Sequence, residues 1–124
     1  MRRFFVYALP PLLYAGFIFY LSAQSALPSP GIEGFDKVEH LAAYALLGAL
    51  IARGFYGYGV ARQKALLLGV LFGTLYGISD EYHQSFVPGR TADWKDAVAD
   101  LLGSSFGAGA WSMIVAVRPR ESSR

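Results

Sequence analysis

Cysteine is absent from the 124 residues. That excludes a disulfide-stapled scaffold and a zinc–thiolate centre, and it leaves the redox compartment unread. Charge is scarce too. Asp, Glu, Lys and Arg make up 16% of the chain, where a soluble domain carries about 25%. Hydrophobic residues make up 54%, and the mean hydropathy is +0.35. A short soluble chain has little volume remote from water in which to hide so much apolar surface. The same figures exclude intrinsic disorder. No basic patch combines with a water-soluble fold, so nucleic acid is not expected as a partner. There is no internal repeat. The length points to a single domain over residues 1–124.

What is present is four apolar stretches: Phe4–Ala23, Val38–Phe55, the shorter Ala65–Ser79, and Ala97–Val117. Each approaches the roughly 20 residues that cross a bilayer as a helix. The expected fold is all-α, an integral membrane bundle of four transmembrane helices. Pro28, Pro30, Gly31 and Gly34 mark a loop after the first stretch, Gly57 and Gly59 a turn after the second, and Pro88–Gly89 a turn before the fourth. Pro10 and Pro11 fall inside the first stretch and should kink or loosen it.

Basic residues alternate sides. Arg2, Arg3, Arg53, Arg62, Lys64, Arg118, Arg120 and Arg124 fall on one side, and Lys37, Arg90 and Lys95 on the other. The positive-inside rule then puts both termini in the cytoplasm. Acids segregate the opposite way, with Glu121 alone on the basic side. A competing reading takes Arg2–Arg3, the apolar run and Ser22–Ala26 as a signal peptide, which would leave three helices. The polar tail Arg118–Arg124 is expected to be mobile.

Polar groups near a bilayer are costly and collect where something needs them. Lys37, His40 and Tyr44 are spaced to share one helix face. Asp93, Asp96, Asp100, Gly103 and Gly107 share another, with Asp100 deepest. Gly69, Gly73 and Gly77 form a small-residue stripe that lets helices approach closely. Continued by one step, the stripe reaches Glu81, within the cluster Asp80, Glu81, His83 and Gln84. The third helix is expected to pack on the second or fourth and carry Asp80 and Glu81 to a shared site. Because they are adjacent, only one of the two should point into it, Glu81 by its place in the row.

The pattern Asp36-Lys37-x-x-His40-x-x-x-Tyr44, then Asp80-Glu81-x-x-Gln84-x-x-x-Pro88-x-Arg90, then Asp93-x-x-Asp96 with Gly103 resembles the VanZ-like family. The likeness runs from about Asp36 to Gly107. It implies a small multi-pass protein of the bacterial cytoplasmic membrane, associated with the cell envelope and with glycopeptide (teicoplanin) resistance. Where this sequence has Asp100 the family pattern commonly carries Asn, so the likeness assigns Asp100 no role.

Lys37 and Arg90 either neutralise the surrounding acids or hold an anionic lipid or cell-wall-precursor head group, Arg by paired hydrogen bonds to phosphate. Tyr44, Asp80, Gln84, Asp93 and Asp100 would complete the binding surface. His40, with Glu81 or Asp96, would transfer a proton in head-group transfer or hydrolysis, or else be a hydrogen-bonded structural residue. No cofactor is required. A divalent cation on His40, Asp80, Glu81 and Asp96 is the alternative, without a recognised metal-ligand spacing such as His-Glu-x-x-His. His83 reads as a loop residue, Tyr82 and Trp94 as an interfacial belt, and Trp111 as packing against helices or lipid. The rival functions are a non-catalytic protein altering glycopeptide access and a small transporter or flippase. The oligomeric state is open.

Overall fold

The computed structural model describes residues 1–25 and 31–118. Pro28, Pro30 and residues 119–124 of the tail lie outside them. Among the described residues there are four helices and no strand: α1 (Phe4–Ser22), α2 (Phe35–Gly57), α3 (Arg62–Gln84) and α4 (Trp94–Val117). By length and composition α1, α2 and α4 can each cross a membrane.

The proline pair explains how α1 begins. Phe4–Ala8 is a π-helical turn, and the Leu9 N–H closes onto the Phe4 carbonyl. Pro10 and Pro11 have no N–H, so the Val6 and Tyr7 carbonyls lose their α-helical donors. In so apolar a stretch such groups need other partners. Arg53 supplies one, its guanidinium donating to the Val6 carbonyl at 2.6 Å. The Tyr7 carbonyl lies against Gly54, where an added Cβ would come within 2.8 Å of it.

α2 starts at Phe35, three residues before the apolar run, because Gly34 turns the chain with φ +78°. It ends at Gly57, and Gly59 (φ +97°) makes the turn into α3. α3 is longer than its apolar stretch, with 23 residues where Ala65–Ser79 was expected. At ~1.5 Å per residue it is about 35 Å long. α4 starts at Trp94 rather than Ala97. Asp93 caps it, its carboxylate accepting the Lys95 N–H at 2.9 Å.

Small residues decide the packing. Gly103 and Gly107 press α4 onto the α2 backbone at Leu41 and Ala45. Gly69 meets the Gly48 carbonyl, Gly73 meets the Ser104 side chain, and Gly77 meets Asp100. The stripe on α3 therefore packs on both α2 and α4, settling an alternative that spacing alone left open. α1 lies outside this tight trio, against α2 and α3.

The interior is correspondingly small and polar. Ala52, Ala65, Ala108, Ser104 and Asp100 are fully buried, and Tyr44 and Leu47 are the largest buried apolar side chains. Large apolar residues such as Leu13, Phe17, Leu46, Leu102, Phe106 and Met113 face outward. Close backbone approach through Gly, Ala and Ser, with bulk turned outward, is the packing expected of helices in lipid.

Candidate functional site

At one end of the bundle the polar residues of α2, α3 and α4 meet. The site has two halves, joined at His40.

The buried half lies between α2, the end of α3 and the start of α4. Lys37 Nζ contacts Asp96 Oδ1 at 2.5 Å, Asp36 Oδ2 at 2.8 Å and Asp93 Oδ2 at 3.0 Å. Lys37 is thus paired with carboxylates and does not line the adjacent cavity, an arrangement that matches the first of its two expected roles, neutralising the surrounding acids. The Lys95 N–H and then the Lys37 ammonium hold the Asp93 carboxyl below the usual carboxylate range. His40 Nδ1 lies 2.9 Å from Asp100 Oδ1. With that carboxylate accepting, Nδ1 carries the hydrogen of the neutral ring and Nε2 keeps its lone pair. Nε2 lies 3.8 Å from Asp96 Oδ2. Glu81 Oε2 accepts the Asp93 N–H at 2.9 Å. Glu81 Oε1 and Asp100 Oδ2 are buried without a protein partner among the described residues. One ligand atom each from His40, Glu81 and Asp96 lie within 4.8 Å of one another, close enough to share a metal ion.

The open half is a cavity of about 390 Å³ between α1, α2 and α3. Of the expected site residues it is lined by His40, Tyr44, Asp80, Gln84 and Arg90. Tyr44 donates to Asp80 Oδ2 at 3.3 Å. Arg90 donates to the Gln24 carbonyl at 3.4 Å and makes no ion pair with a carboxylate among the described residues. Asp80 and Glu81 are both buried, which corrects the expectation that only one points inward. The end of α3 is enclosed on two sides, so Asp80 faces α2 and the cavity while Glu81 faces the start of α4.

Sequence reasoning missed the wall that α1 supplies. Ile18, Leu21 and Ser22 line the cavity. Tyr14, Ile18 and Ser22 are spaced by four, and the Tyr14 hydroxyl donates to the Ala43 carbonyl at 3.0 Å. That spacing was a usable signal, hidden in a run that also read as a leader. His83 lies inside α3 rather than in a loop. It stacks on Phe19 at 4.5 Å and lies 3.4 Å from Ser22 Oγ. Tyr82 and Trp94 are exposed, and Trp111 packs edge-on against Tyr56.

A second cavity of about 450 Å³ lies toward the other end of α1, lined by residues such as Leu12, Leu47, Ile51, Phe55, Phe72 and Tyr76. On α3 the two cavities share one stripe: Phe72 and Tyr76 in the apolar one, then Asp80 and Gln84 in the polar one. Between them α1 is packed down, with Ile18 against Tyr44 and Leu47 and the Tyr76 hydroxyl bonded to the Ala15 carbonyl, so the two are separate hollows in line under α1.

The family model described as VanZ/LLP1 matches residues 10–115. A curated protein of Schizosaccharomyces pombe, described only as uncharacterized, is 38% identical over 87 residues, which is 69% of this chain and 50% of that protein. The chain thus spans about half the length of that relative. No solved structure matches.

Proposed function

The chain belongs to the VanZ/LLP1 family, and from that premise we propose that it binds the anionic head group of a membrane lipid, or of a lipid-linked precursor, in the pocket at the outer end of the bundle. In this reading all four helices cross the membrane, both termini are cytoplasmic and the pocket faces outward. Support for α3 as a span comes from its faces. Its polar residues Asp80, Glu81 and Gln84 are buried, while Leu67, Leu71, Leu75, Ile78 and Tyr82 form an exposed apolar row. An average over the helix mixes the two faces and conceals a surface suited to lipid. Support for the orientation is the basic excess on the opposite side.

The observation that carries the reading is the cavity that Arg90, Tyr44 and Gln84 line, beside the exposed apolar faces of α1 and α3. An amphiphile would place its head at Arg90, Tyr44 and Gln84 and its chain on the exposed apolar surface of the neighbouring helices. Arg90 is the cation free of carboxylate partners there and offers a planar fork to phosphate.

His40, Glu81 and Asp96 are the reacting set, with hydrolysis or transfer of the head group as the reaction class. The yeast relative makes a chemistry common to bacterial and eukaryotic membranes preferable to one confined to glycopeptides. The test is turnover by the purified chain on a panel of membrane lipids, read by mass spectrometry. Conversion of an anionic lipid, lost in His40→Ala and in Asp96→Asn with the helical spectrum unchanged, is expected. Full conversion by both variants would remove these residues from the reaction.

A further inference from the structure

The charge balance of the site does not suit an anion by itself. Asp36, Asp80, Glu81, Asp93, Asp96 and Asp100 surround it, against Lys37 and Arg90. Lys37 is already held by three of these carboxylates. A buried acid without a partner is costly, and native structures rarely leave one.

His40, Glu81 and Asp96 show a common arrangement. Each has one donor atom fastened to a protein partner and another left over. His40 Nδ1 is tied to Asp100 Oδ1, Glu81 Oε2 to the Asp93 N–H, and Asp96 Oδ1 to Lys37 Nζ. What remains is His40 Nε2, Glu81 Oε1 and Asp96 Oδ2. Glu81 is 8% exposed, and its Oε1 has no hydrogen-bond partner among the described residues. The residues offer ligand atoms within 4.8 Å of each other, and they come from α2, α3 and α4, so the packing of three helices fixes their spacing. Behind the histidine stands a fully buried carboxylate, Asp100, the kind of partner that orients a metal-binding imidazole and raises its basicity.

We propose that His40 Nε2, Glu81 and Asp96 bind one divalent cation. One imidazole and two carboxylates suit Mn²⁺ or Zn²⁺ better than Ca²⁺, which takes six to eight oxygens. The three ligands leave coordination positions open, and the cavity beside His40 gives access to them. Asp100 is a positioning residue that holds the ring through Nδ1. The site stands on the cluster geometry alone. Its use rests on the head-group reading: the cation would take a phosphate oxygen and so let an anion enter a site rich in carboxylates. In that case His40 is a ligand, and direct proton transfer by its Nε2 is ruled out.

The test is Mn²⁺ binding to the full chain in nanodiscs, followed by electron paramagnetic resonance. One saturable site is expected, with nitrogen hyperfine coupling from the imidazole. His40→Ala should abolish that coupling. Glu81→Gln should weaken binding at least about tenfold while keeping an oxygen for the Asp93 N–H. Asp100→Asn should weaken it about 10- to 100-fold and alter the nitrogen coupling, as a second-shell partner does. Should His40→Ala fail to fold, the Glu81→Gln and Asp100→Asn results stand in its place. Absence of saturable Mn²⁺ at millimolar concentration, or binding unchanged in all the variants, overturns the site. Lipid binding measured alongside in EDTA separates the two ideas. Anionic lipid retained without a cation would leave the head-group reading standing and remove the bridging role. A cation bound with no lipid preference would do the reverse.

Discussion

Tyr76 sits between the polar cavity and the apolar one, and its hydroxyl donates to the Ala15 carbonyl at 2.5 Å. Tyr14 makes the matching bond from α1 to the Ala43 carbonyl. Each carbonyl keeps the i+4 N–H of its own helix, so Tyr76→Phe removes only the bond between helices and should destabilise the bundle by about 1 kcal/mol, read as the shift in a denaturation midpoint in detergent. Lys37 carries more weight. Lys37→Met leaves Asp96, whose side chain is 7% exposed, without its closest cation. Breaking a fully buried pair costs roughly 3–5 kcal/mol. Lys37 is itself 30% exposed, so solvent screening reduces the expected loss to about 2 kcal/mol. A midpoint unchanged in Lys37→Met would show that water already neutralises the cluster.

At the scale of elements, glycine position separates helices that must touch from those that need not. An added Cβ at Gly107 would run into the Ala45 backbone, and backbone cannot give way as a side chain end can. Gly109, on the same helix, has nothing within 4 Å of its Cβ position. Gly107→Ala is therefore expected to cost about 1–3 kcal/mol through overpacking. Gly109→Ala should stabilise by up to about 1 kcal/mol through helix propensity. Paired thermal melts check both, and equal effects would contradict the close α2–α4 approach. These stripes were legible in the sequence because small residues at intervals of three and four need no knowledge of a partner. The length of α3 was not, because Asp80, Glu81 and Gln84 lower its apparent hydropathy while facing the interior. The wall from α1 was not legible either. Ser22 reads as one more small residue until Ile18 and Leu21 are seen beside it in the cavity. Nor can spacing reveal that Lys37 is consumed by Asp36, Asp93 and Asp96, since that depends on how α2 and α4 are set side by side.

For the molecule as a whole, two groups of residues have exchanged their usual places: small and ionisable side chains inside, large apolar ones outside. The chain also has no cysteine, so single introduced thiols report topology without background. Phe86→Cys, in the turn after α3, should react with an impermeant thiol reagent added outside cells, and Tyr58→Cys, in the turn after α2, should not. Both reacting alike would contradict four crossings. The central question is whether the pocket under α1 holds the head of an anionic amphiphile. The most direct measurement is native mass spectrometry of the chain released from nanodiscs that contain anionic and zwitterionic lipids with identical chains, wild type beside Arg90→Ala. Preferential retention of the anionic lipid by the wild type, at least about tenfold or 1.4 kcal/mol, and loss of that preference in Arg90→Ala is the predicted result. Equal retention of both lipids by the wild type would contradict it.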